Sequence, residues 1–285
     1  MNGLDCDAVF TAAAPEPVVD ASCVAYRGVV SAASSRRVPE ETAVAFTFGG
    51  TTHAVMMATP ADLEDFALGF AFTEGVISSL DEVESLDVVP TTLGVELRMA
   101  LPAGRAETYA ARRRSMAGPT GCGLCGVESL GEAMRGAPRV PKRALFDRRE
   151  IVDAMERLSS GQAFNAETRA VHAAGFWTPA RGLVAVREDV GRHNALDKLA
   201  GALLREGTPA GEGLVLLTSR VSVELIQKAA RMGAPVVVAI SAPTAAAIRL
   251  AESCGATLVA VARGRDFEVF THADRITDRA AAHVA

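Results

Sequence analysis

Strand-like and helical segments alternate through the last third of the chain, and this order restricts the fold more than any other feature. Three short apolar runs, at 214–218, 236–240 and 257–261, have the length and β-branched content of buried strands. The stretches between them, 223–231 and 244–254, have helical periodicity. Because helices of this length act as crossover connections, we predict a sheet with parallel neighbouring strands in this part of the chain.

The segments that precede this region extend the same sheet. Asp147 and Glu150 predict a capping box at the start of a helix, since a side chain at each position can accept a backbone N–H of the other. Further predicted elements are strands at 170–177 and 183–186, a helix at 194–205 and a short closing strand at 267–270. The order α-β-β-α-β-α-β predicts a mixed sheet between layers of helices.

The first half of the chain has a different pattern. Two β-prone runs, 42–48 and 51–57, flank Gly49-Gly50, and this arrangement predicts a hairpin because glycine accepts the positive φ of a tight turn. A helix should follow, with Thr59 as its N-cap, Pro60 at the first helical position and Asp62 completing a capping box. Two further predicted strands, 83–89 and 95–101, make this half α+β.

We therefore predict an α/β chain, α+β overall, with two domains. Residues 1–24, rich in Ala, Pro and Asp, are expected to form a mobile tail, and 25–117 a small N-terminal α+β domain. Residues 118–145 form a cysteine-containing loop and linker. Residues 146–285 form the C-terminal domain with the mixed sheet.

Composition restricts the function classes. The formal net charge of −5 argues against a general nucleic-acid-binding protein. The chain has no apolar stretch of the roughly 20 residues that a membrane span needs. Its N-terminus lacks the basic and apolar regions of a secretory signal. We therefore expect a cytoplasmic protein without a membrane or nucleic-acid partner.

The five cysteines include one closely spaced pair, Cys122 and Cys125, inside Gly121-Cys122-Gly123-Leu124-Cys125-Gly126. Four glycines and a proline within 118–126 predict a loop. Glycines at the first, third and sixth positions of 121–126 match a dinucleotide-binding fingerprint, but no predicted strand precedes them. A zinc site would need further ligands from elsewhere in the chain, such as His172, His193 or Cys254.

Three other interpretations of the pair stay open. A thioredoxin-type redox pair usually opens a helix, which Gly123 and Gly126 disfavour. A purely structural loop would need no thiol chemistry. A thiol carrier on a moving loop fits the pattern best, because flanking glycines let one nucleophilic thiolate reach a donor and an acceptor in turn. The basic run 112–114 would favour the thiolate.

Seven sequence blocks, taken in order, resemble the formate dehydrogenase accessory sulfurtransferases, the FdhD/NarQ family, over nearly the whole chain from about residue 40. The blocks are 55–60, 62–70, 73–75, 121–126, 188–198, 218–222 and 241–244. The resemblance implies that Cys122 carries a persulfide received from a cysteine desulfurase and that Cys125 assists or resolves it. The acceptor would be a bis-molybdopterin guanine dinucleotide cofactor, with molybdenum or tungsten, which is then inserted into formate dehydrogenase.

The resemblance has further implications for fold and binding. It implies a cytidine deaminase-like αβα sandwich as the C-terminal domain, a homodimer, no dedicated metal ion, and cofactor contacts at one segment near the C-terminus. That segment comprises Phe270, Thr271, His272, Ala273, Asp274 and Arg275. The deaminase chemistry itself is not expected, because His172-Ala173-Ala174 lacks the glutamate of the zinc deaminases.

The phosphates of such a cofactor favour helix N-termini and arginines. Residues 218–222, 241–244 and 189–194 each leave a predicted strand or precede a predicted helix, so they are candidate phosphate contacts, although each also suits a simple turn or helix cap. Two rival functions differ from sulfur transfer: a chaperone that binds the cofactor without moving sulfur, and a zinc-dependent base deaminase.

Overall fold

The computed structural model of the chain describes residues 13–102, 104, 136–141 and 145–278. Its first two strands, β1 (Val18–Arg27) and β2 (Val30–Pro39), pair antiparallel along their full length. The prediction of a tail through residue 24 is therefore wrong from Val18 onward. The reason is that β1 depends on its ladder with β2, a partner that the composition of residues 1–24 alone does not reveal.

The N-terminal half contains a four-stranded sheet in the order β4-β3-β6-β5. Its strands are β3 (Thr42–Phe48), β4 (Thr51–Ala58), β5 (Ser85–Thr91) and β6 (Gly94–Ala100). The predicted β3–β4 hairpin is confirmed, and both Gly49 and Gly50 have positive φ. Helix α1 (Leu63–Thr73) covers one face, and the ring of Phe46 packs against those of Phe66 and Phe70.

The start of α1 differs from the prediction. The N-cap residue is Asp62, in the left-handed region with φ of 52°, and its side chain makes no capping hydrogen bond. The Thr59 hydroxyl instead accepts the N–H of Val190 at 3.1 Å, and the Thr59 N–H donates to Asp189 at 3.0 Å. The predicted capping box is therefore wrong, because contacts with a distant part of the chain occupy Thr59.

The second sheet has six strands in the order β13-β12-β11-β10-β8-β9. After β7 (Phe146–Asp147), its strands are β8 (His172–Thr178), β9 (Gly182–Asp189), β10 (Leu214–Leu217), β11 (Val236–Ala239), β12 (Thr257–Arg263) and β13 (Asp266–Val269). Strands β10, β11 and β12 are mutually parallel, whereas β8, β9 and β13 pair antiparallel with their neighbours. The predicted mixed sheet is confirmed. A final strand, β14 (Ile276–Thr277), pairs with β7.

Helices cover both faces of this sheet. One face carries α2 (Arg148–Ser160), whose buried residues Ile151, Ala154, Met155 and Leu158 are the predicted apolar face, and the predicted capping box of Asp147 and Glu150 is present. After the short α3 (Ala163–Thr168), the other face carries α4 (Arg192–Arg205), α5 (Val223–Arg231) and α6 (Ala245–Cys254). The predicted three-layered arrangement is confirmed. None of the helices that the structure describes has the length and apolarity of a membrane span.

Helices α1 and α4 pack closely enough to require glycine on both sides. A Cβ atom on Gly69 of α1 would overlap the carbonyl oxygen of Asp197, and one on Gly201 of α4 would overlap that of Asp65. Because backbone meets backbone here, no side-chain rotation could relieve the overlap. This crossing attaches the N-terminal sheet and its helix to the helical layer of the second sheet.

Candidate functional site

Four strands of the second sheet end at one edge. Since β8 is antiparallel to both β9 and β10, strand β9 runs in the direction of β10, β11 and β12. We call the site where these strands end the carboxyl edge. It comprises His172, the segment 189–194, the loop 218–224 and the loop 241–244. The sequence predicted two of its segments after strands and 189–194 at the entry to a helix, and the fold brings all three to the same side of the sheet.

Backbone contacts join two of these loops directly. Val221 forms an isolated parallel bridge with Pro243, and the N–H of Thr244 donates to the carbonyl oxygen of Val221 at 3.0 Å. The Thr244 side chain then caps α6 by accepting the N–H of Ala247 at 3.2 Å. The loops after β10 and β11 therefore form one continuous surface, as expected for neighbouring parallel strands.

A histidine and a glutamate lie at the centre of the carboxyl edge. Nε2 of His193 is 3.0 Å from Oε2 of Glu224 and 3.4 Å from the hydroxyl of Ser222. Ser222 also donates to Glu224 at 3.1 Å, so it does not cap α5 with its side chain. Because Ser222 and Glu224 both contact the same ring nitrogen, His193 cannot relay a proton between them, and a hydrolase-type triad is excluded in this arrangement.

Burial and local charges shift the pKa values of two side chains at the carboxyl edge. Burial opposes ionisation of Glu224, but the hydrogen bond and charge of His193, with help from Ser222 and Arg192, lower the pKa of Glu224 below its ordinary value. Burial lowers the pKa of His172, and the positive charge of Arg192 lowers it further. The carboxyl edge therefore favours the ionised form of Glu224 and the neutral form of His172.

Two polar atoms of this edge lack partners. Nε of Arg192 and Oε1 of Glu224 are buried and make no hydrogen bond within the described residues. Folded proteins rarely leave such atoms unsatisfied, so each calls for an explanation. The backbone of Val261, near the end of β12 and beside Ser241, is strained, because its φ of 54° is unusual for a β-branched residue.

A second polar cluster lies where α1 meets α4, and we call it the junction cluster. Its first part centres on Lys198, whose side chain is fully buried and whose Nζ lies 2.7 Å from Asp189 and 2.8 Å from the carbonyl oxygen of Thr59. Asn194 donates to Asp189 at 2.9 Å and to the carbonyl oxygen of Met57 at 2.9 Å. These bonds attach the segment 57–59 to the start of α4.

The second part of the junction cluster centres on Lys228 of α5. Its Nζ donates to Asp197 at 2.9 Å, to Thr73 at 3.0 Å and to Glu74 at 2.7 Å. Burial disfavours the ammonium form, but the carboxylates of Asp197 and Glu74 outweigh that effect and raise the pKa of Lys228 above its ordinary value. Lys228 is therefore a charged, fully engaged group that holds α1, α4 and α5 together.

The predicted cofactor segment 270–275 lies at the other end of the sheet. Strand β13 runs antiparallel to β12, so the residues after it return to the amino end of β12. There the Thr271 hydroxyl accepts the N–H of Leu258 at 2.9 Å and donates to Ala256 at 2.7 Å. The fold therefore separates this segment from the carboxyl edge by the length of the sheet.

The guanidinium of Arg275 is hydrogen-bonded to other residues of the protein. Its guanidinium is buried and donates to the carbonyl oxygen of Gly255 at 2.7 Å, to Thr257 at 3.0 Å and to the carbonyl oxygen of Pro141 at 3.2 Å. In this conformation Arg275 stabilises the surrounding backbone, although its Nε has no hydrogen-bond partner within the described residues. Phe270 and His272 are partly exposed, and Ala273 and Asp274 are exposed, so these four are the accessible residues of the segment.

Both predicted catalytic residues, Cys122 and Cys125, lie outside the described residues, as does the basic run 112–114. The described chain resumes at residue 136, and the short stretch 136–141 is attached next to the predicted cofactor segment. Val140 is buried in the core and its N–H donates to Cys254 at 3.0 Å, while Arg275 holds Pro141. The linker that follows the two cysteines therefore contacts the segment 270–275.

The additional ligands considered for a zinc site are not brought together. His172 and His193 both belong to the carboxyl edge, but Cys254 ends α6 and lies at the amino end of β12, buried in the core. Burial raises the pKa of the Cys254 thiol. Within the part of the chain that the structure describes, no three His, Cys, Asp or Glu side chains form a metal-binding group.

Sequence reasoning missed Glu224 and both buried lysines. An acidic residue in the first turn of a helix usually serves the helix dipole, so Glu224 carried no separate signal. Lys198 and Lys228 each follow a polar residue on a predicted helix, Asp197 and Gln227, so the sequence pattern suggests solvated charges. Arg192 and His193 open a helix shortly after a strand. This position could have indicated the site, because the carboxyl ends of strands are where ligands bind in an α/β sheet.

Comparison with known proteins gives consistent matches. The sequence profile of the FdhD/NarQ family matches residues 39–277. Sulfur carrier protein FdhD of Agrobacterium fabrum is 54% identical over 253 residues, covering 88% of this chain and 93% of the relative. The protein of the same name from Brucella abortus is 51% identical over 246 residues, covering 86% and 91%.

The fold also matches a solved structure. A formate dehydrogenase accessory protein from Desulfotalea psychrophila superimposes with a TM-score of 0.73 at 25% sequence identity, and the match covers 91% of this chain and 99% of that one.

Proposed function

Because the chain belongs to the FdhD/NarQ family, we propose that it is a sulfur carrier in the maturation of formate dehydrogenase. In this proposal Cys122 accepts sulfur from a cysteine desulfurase as a persulfide, and the acceptor is the bis-molybdopterin guanine dinucleotide substrate. The observation that carries the proposal is the 54% identity, over 88% of the chain, to a protein named as a sulfur carrier. The protein would act in the cytoplasm as a homodimeric sulfurtransferase.

The chemistry requires two thiols with different tasks. The Cys122 thiolate attacks the outer sulfur of the donor persulfide, so one S–S bond forms on Cys122 while the donor leaves as a thiolate. Attack of the Cys125 thiolate on the Cys122 sulfur then releases the outer sulfur as sulfide and leaves a disulfide between the two cysteines. The cofactor substrate takes up that sulfide in exchange for an oxygen ligand, which leaves as water. A cellular thiol must reduce that disulfide before the next cycle.

The described residues support a binding role next to this chemistry. The linker 136–141, which follows the cysteine segment in sequence, is hydrogen-bonded to the predicted cofactor segment through Arg275 and to the end of α6 through Cys254. Partly exposed His272 and exposed Asp274 offer a donor and an acceptor to a guanine or ribose group at this place. Arg275 would act there by holding the segment, since its guanidinium already has three carbonyl or hydroxyl partners.

Intact-mass measurement tests the sulfur step. After incubation with a cysteine desulfurase and cysteine, we expect the wild type and Cys23→Ala to gain one reducible sulfur atom, and Cys122→Ala to gain none. Cys23 is a matched control because it is an exposed free cysteine elsewhere in the fold. In cells that lack the native copy, Cys122→Ala should leave formate dehydrogenase inactive.

Either of two results would contradict the proposal. Sulfur uptake that persists in Cys122→Ala would move the carrier to another thiol. Normal formate dehydrogenase activity without uptake would favour a chaperone that binds the cofactor and transfers no sulfur.

A further inference from the structure

The β1–β2 hairpin belongs to no larger sheet. Its two strands pair only with each other, and Gly28 and Val29 form the turn between them. Apolar side chains near this turn are exposed, with Val24 at 59%, Tyr26 at 78% and Val30 at 64% of their full accessible surface. Because a two-stranded sheet is at best marginally stable in water, such a hairpin calls for a further contact that covers it.

The two strands of the hairpin differ in what holds them. Strand β2 is attached to α3, because Arg36 donates to the carbonyl oxygen of Thr168 at 3.3 Å and Arg37 pairs with Glu167 at 2.8 Å. Strand β1 has no hydrogen bond or ion pair with any described residue outside the hairpin. The open edge of the hairpin is therefore that of β1.

The sequence protects one of these edges and not the other. Natural proteins prevent unwanted strand pairing with charged residues and proline on an exposed edge. Strand β2 carries Arg36 and Arg37 and ends at Pro39. In β1, the stretch 21–26 contains neither a charged residue nor a proline. The unprotected stretch is the one that exposes Val24 and Tyr26, which indicates that another strand covers it.

The hydrogen-bond pattern shows which groups of β1 are open. The N–H of Glu40 donates to the carbonyl oxygen of Pro17 at 2.9 Å, and this pair extends the β1–β2 register by one residue. Bonded and non-bonded pairs alternate along an antiparallel ladder, so the odd-numbered residues of β1 bond to β2. The even-numbered residues Ser22, Val24 and Tyr26 therefore direct their N–H and C=O groups away from β2.

We propose that β1 is the contact surface between two copies of this chain. The β1 strands of the two copies pair antiparallel about a two-fold axis, and the two hairpins become one four-stranded sheet. The inference rests on the homodimer of the proposed function and names the surface that forms it. Since the open groups of β1 alternate, the same strand of a second copy offers matching donors and acceptors.

Side chains fix the register of this pairing. With Val24 opposite Tyr26 of the second copy, both exposed side chains lie in cross-strand pairs of a β-branched and an aromatic residue, which stabilise antiparallel sheets. Arg27 then lies opposite Cys23 of the second copy, so no like charges face each other. The four-stranded sheet ends at β2 on both sides, where the arginines, Pro39 and α3 prevent further pairing, and the assembly stops at two copies.

Sedimentation equilibrium of the full chain tests the inference with a proline on each edge. Val24→Pro removes an outward N–H of β1 and leaves the bonds between β1 and β2 intact. Ala33→Pro is the matched control, because Ala33 is the cross-strand partner of Val24 and the same change falls on the edge of β2. We expect the wild type and Ala33→Pro to be dimers, and Val24→Pro to have a dissociation constant at least about tenfold larger.

Thiol cross-linking measures the register independently. Cys23 is an exposed free cysteine on β1. In the proposed register the two copies of Cys23 are offset by four residues along the strands, or roughly 14 Å, which a flexible bis-maleimide can span. We expect a cross-linked dimer in the wild type and in Ala33→Pro. The cross-link should be lost in Cys23→Ala and strongly reduced in Val24→Pro.

Three results would overturn the inference: a wild type that is monomeric at micromolar concentration, a Val24→Pro dimer as tight as that of the wild type, or equal weakening by both prolines. In the last case dimerisation would depend on the folding of the hairpin and not on the edge of β1. Urea titration should show both proline variants folded with similar stability. Sulfur uptake on Cys122 is measured separately by intact mass, so a monomer that still takes up sulfur would overturn this inference alone.

Discussion

Helix α4 carries two polar clusters that use the same residue types in different ways. In the junction cluster, the ammonium groups of Lys198 and Lys228 each meet carboxylates and a further oxygen within 3.0 Å. At the carboxyl edge, Arg192, less than two turns away on α4, and Glu224 of α5 each keep a buried atom that has no hydrogen-bond partner among the described residues. The charges of the junction cluster therefore act structurally, whereas these two atoms call for an explanation.

This contrast explains how the two halves are joined. The junction cluster attaches α1 to α4 through groups that tolerate no replacement, because each buried charge depends on the one beside it. The carboxyl edge keeps its polar atoms available for binding. The following variants test whether the two clusters differ as described.

The largest effect should come from Lys198→Met in the junction cluster. It removes the counterion of Asp189, which has no exposed surface, and leaves a buried carboxylate with hydrogen-bond donors but no positive charge beside it. We expect a loss of about 3–5 kcal/mol in the free energy of unfolding, measured by urea titration with the fluorescence of Trp177. Arg98→Met, which breaks an exposed pair with Glu96, should cost under about 1 kcal/mol. A similar loss in both variants would show that the buried pair contributes no more to the free energy of unfolding than the exposed pair does.

A smaller effect is expected at the helix crossing. In Gly201→Ala the new methyl group would overlap the carbonyl oxygen of Asp65, so α1 and α4 must separate. We expect a destabilisation of about 3 kcal/mol by the same urea titration. Gly211→Ala is the matched control, since its Cβ would find only ordinary contacts at 3.7 Å and 3.8 Å. Equal stability of the two variants would rule out a close α1–α4 contact.

The smallest effect concerns the pH dependence of stability at the carboxyl edge. Because burial and Arg192 lower the pKa of His172, the unfolded chain takes up a proton at this residue at a higher pH than the folded chain does. Stability that His172 provides near pH 7 is therefore lost as pH falls below about 6.5. His172→Gln should have a smaller decrease in melting temperature between about pH 7.5 and about pH 5.5 than the wild type. An unchanged decrease, measured by calorimetry, would contradict this account.

Local signals in the sequence predicted much of the secondary structure in both halves of the chain. The capping box of Asp147 and Glu150 and the turn glycines Gly49 and Gly50 act within a few residues, so their pattern is visible in the chain itself. The same reasoning failed at Thr59, whose hydroxyl and N–H are occupied by residues about 130 positions away. A short-range rule cannot detect a partner at that distance.

The features of the candidate site also divide into those that the sequence predicted and those that it did not. The sequence predicted that 218–222 and 241–244 follow successive strands, which places them on one side because parallel strands end together. It predicted 189–194 only as a polar entry to a helix, and the fold brought that segment to the same place. The pairing of His193 with Glu224 was not predictable, since it depends on how α4 and α5 pack. Nor did the sequence show that Arg275 would be buried against Gly255 and Pro141.

The sequence by itself determined the order of strands and helices, the glycine-flanked cysteine pair and the family to which the chain belongs. These follow from periodicity, turn chemistry and residue identity, which act over short distances along the chain. Only the tertiary structure decided which charged groups are buried with partners and which keep a buried atom without one among the described residues. That outcome depends on how closely α1, α4 and α5 pack against one another. Burial changes the free energy of a charged group far more than the residues next to that group in the sequence do.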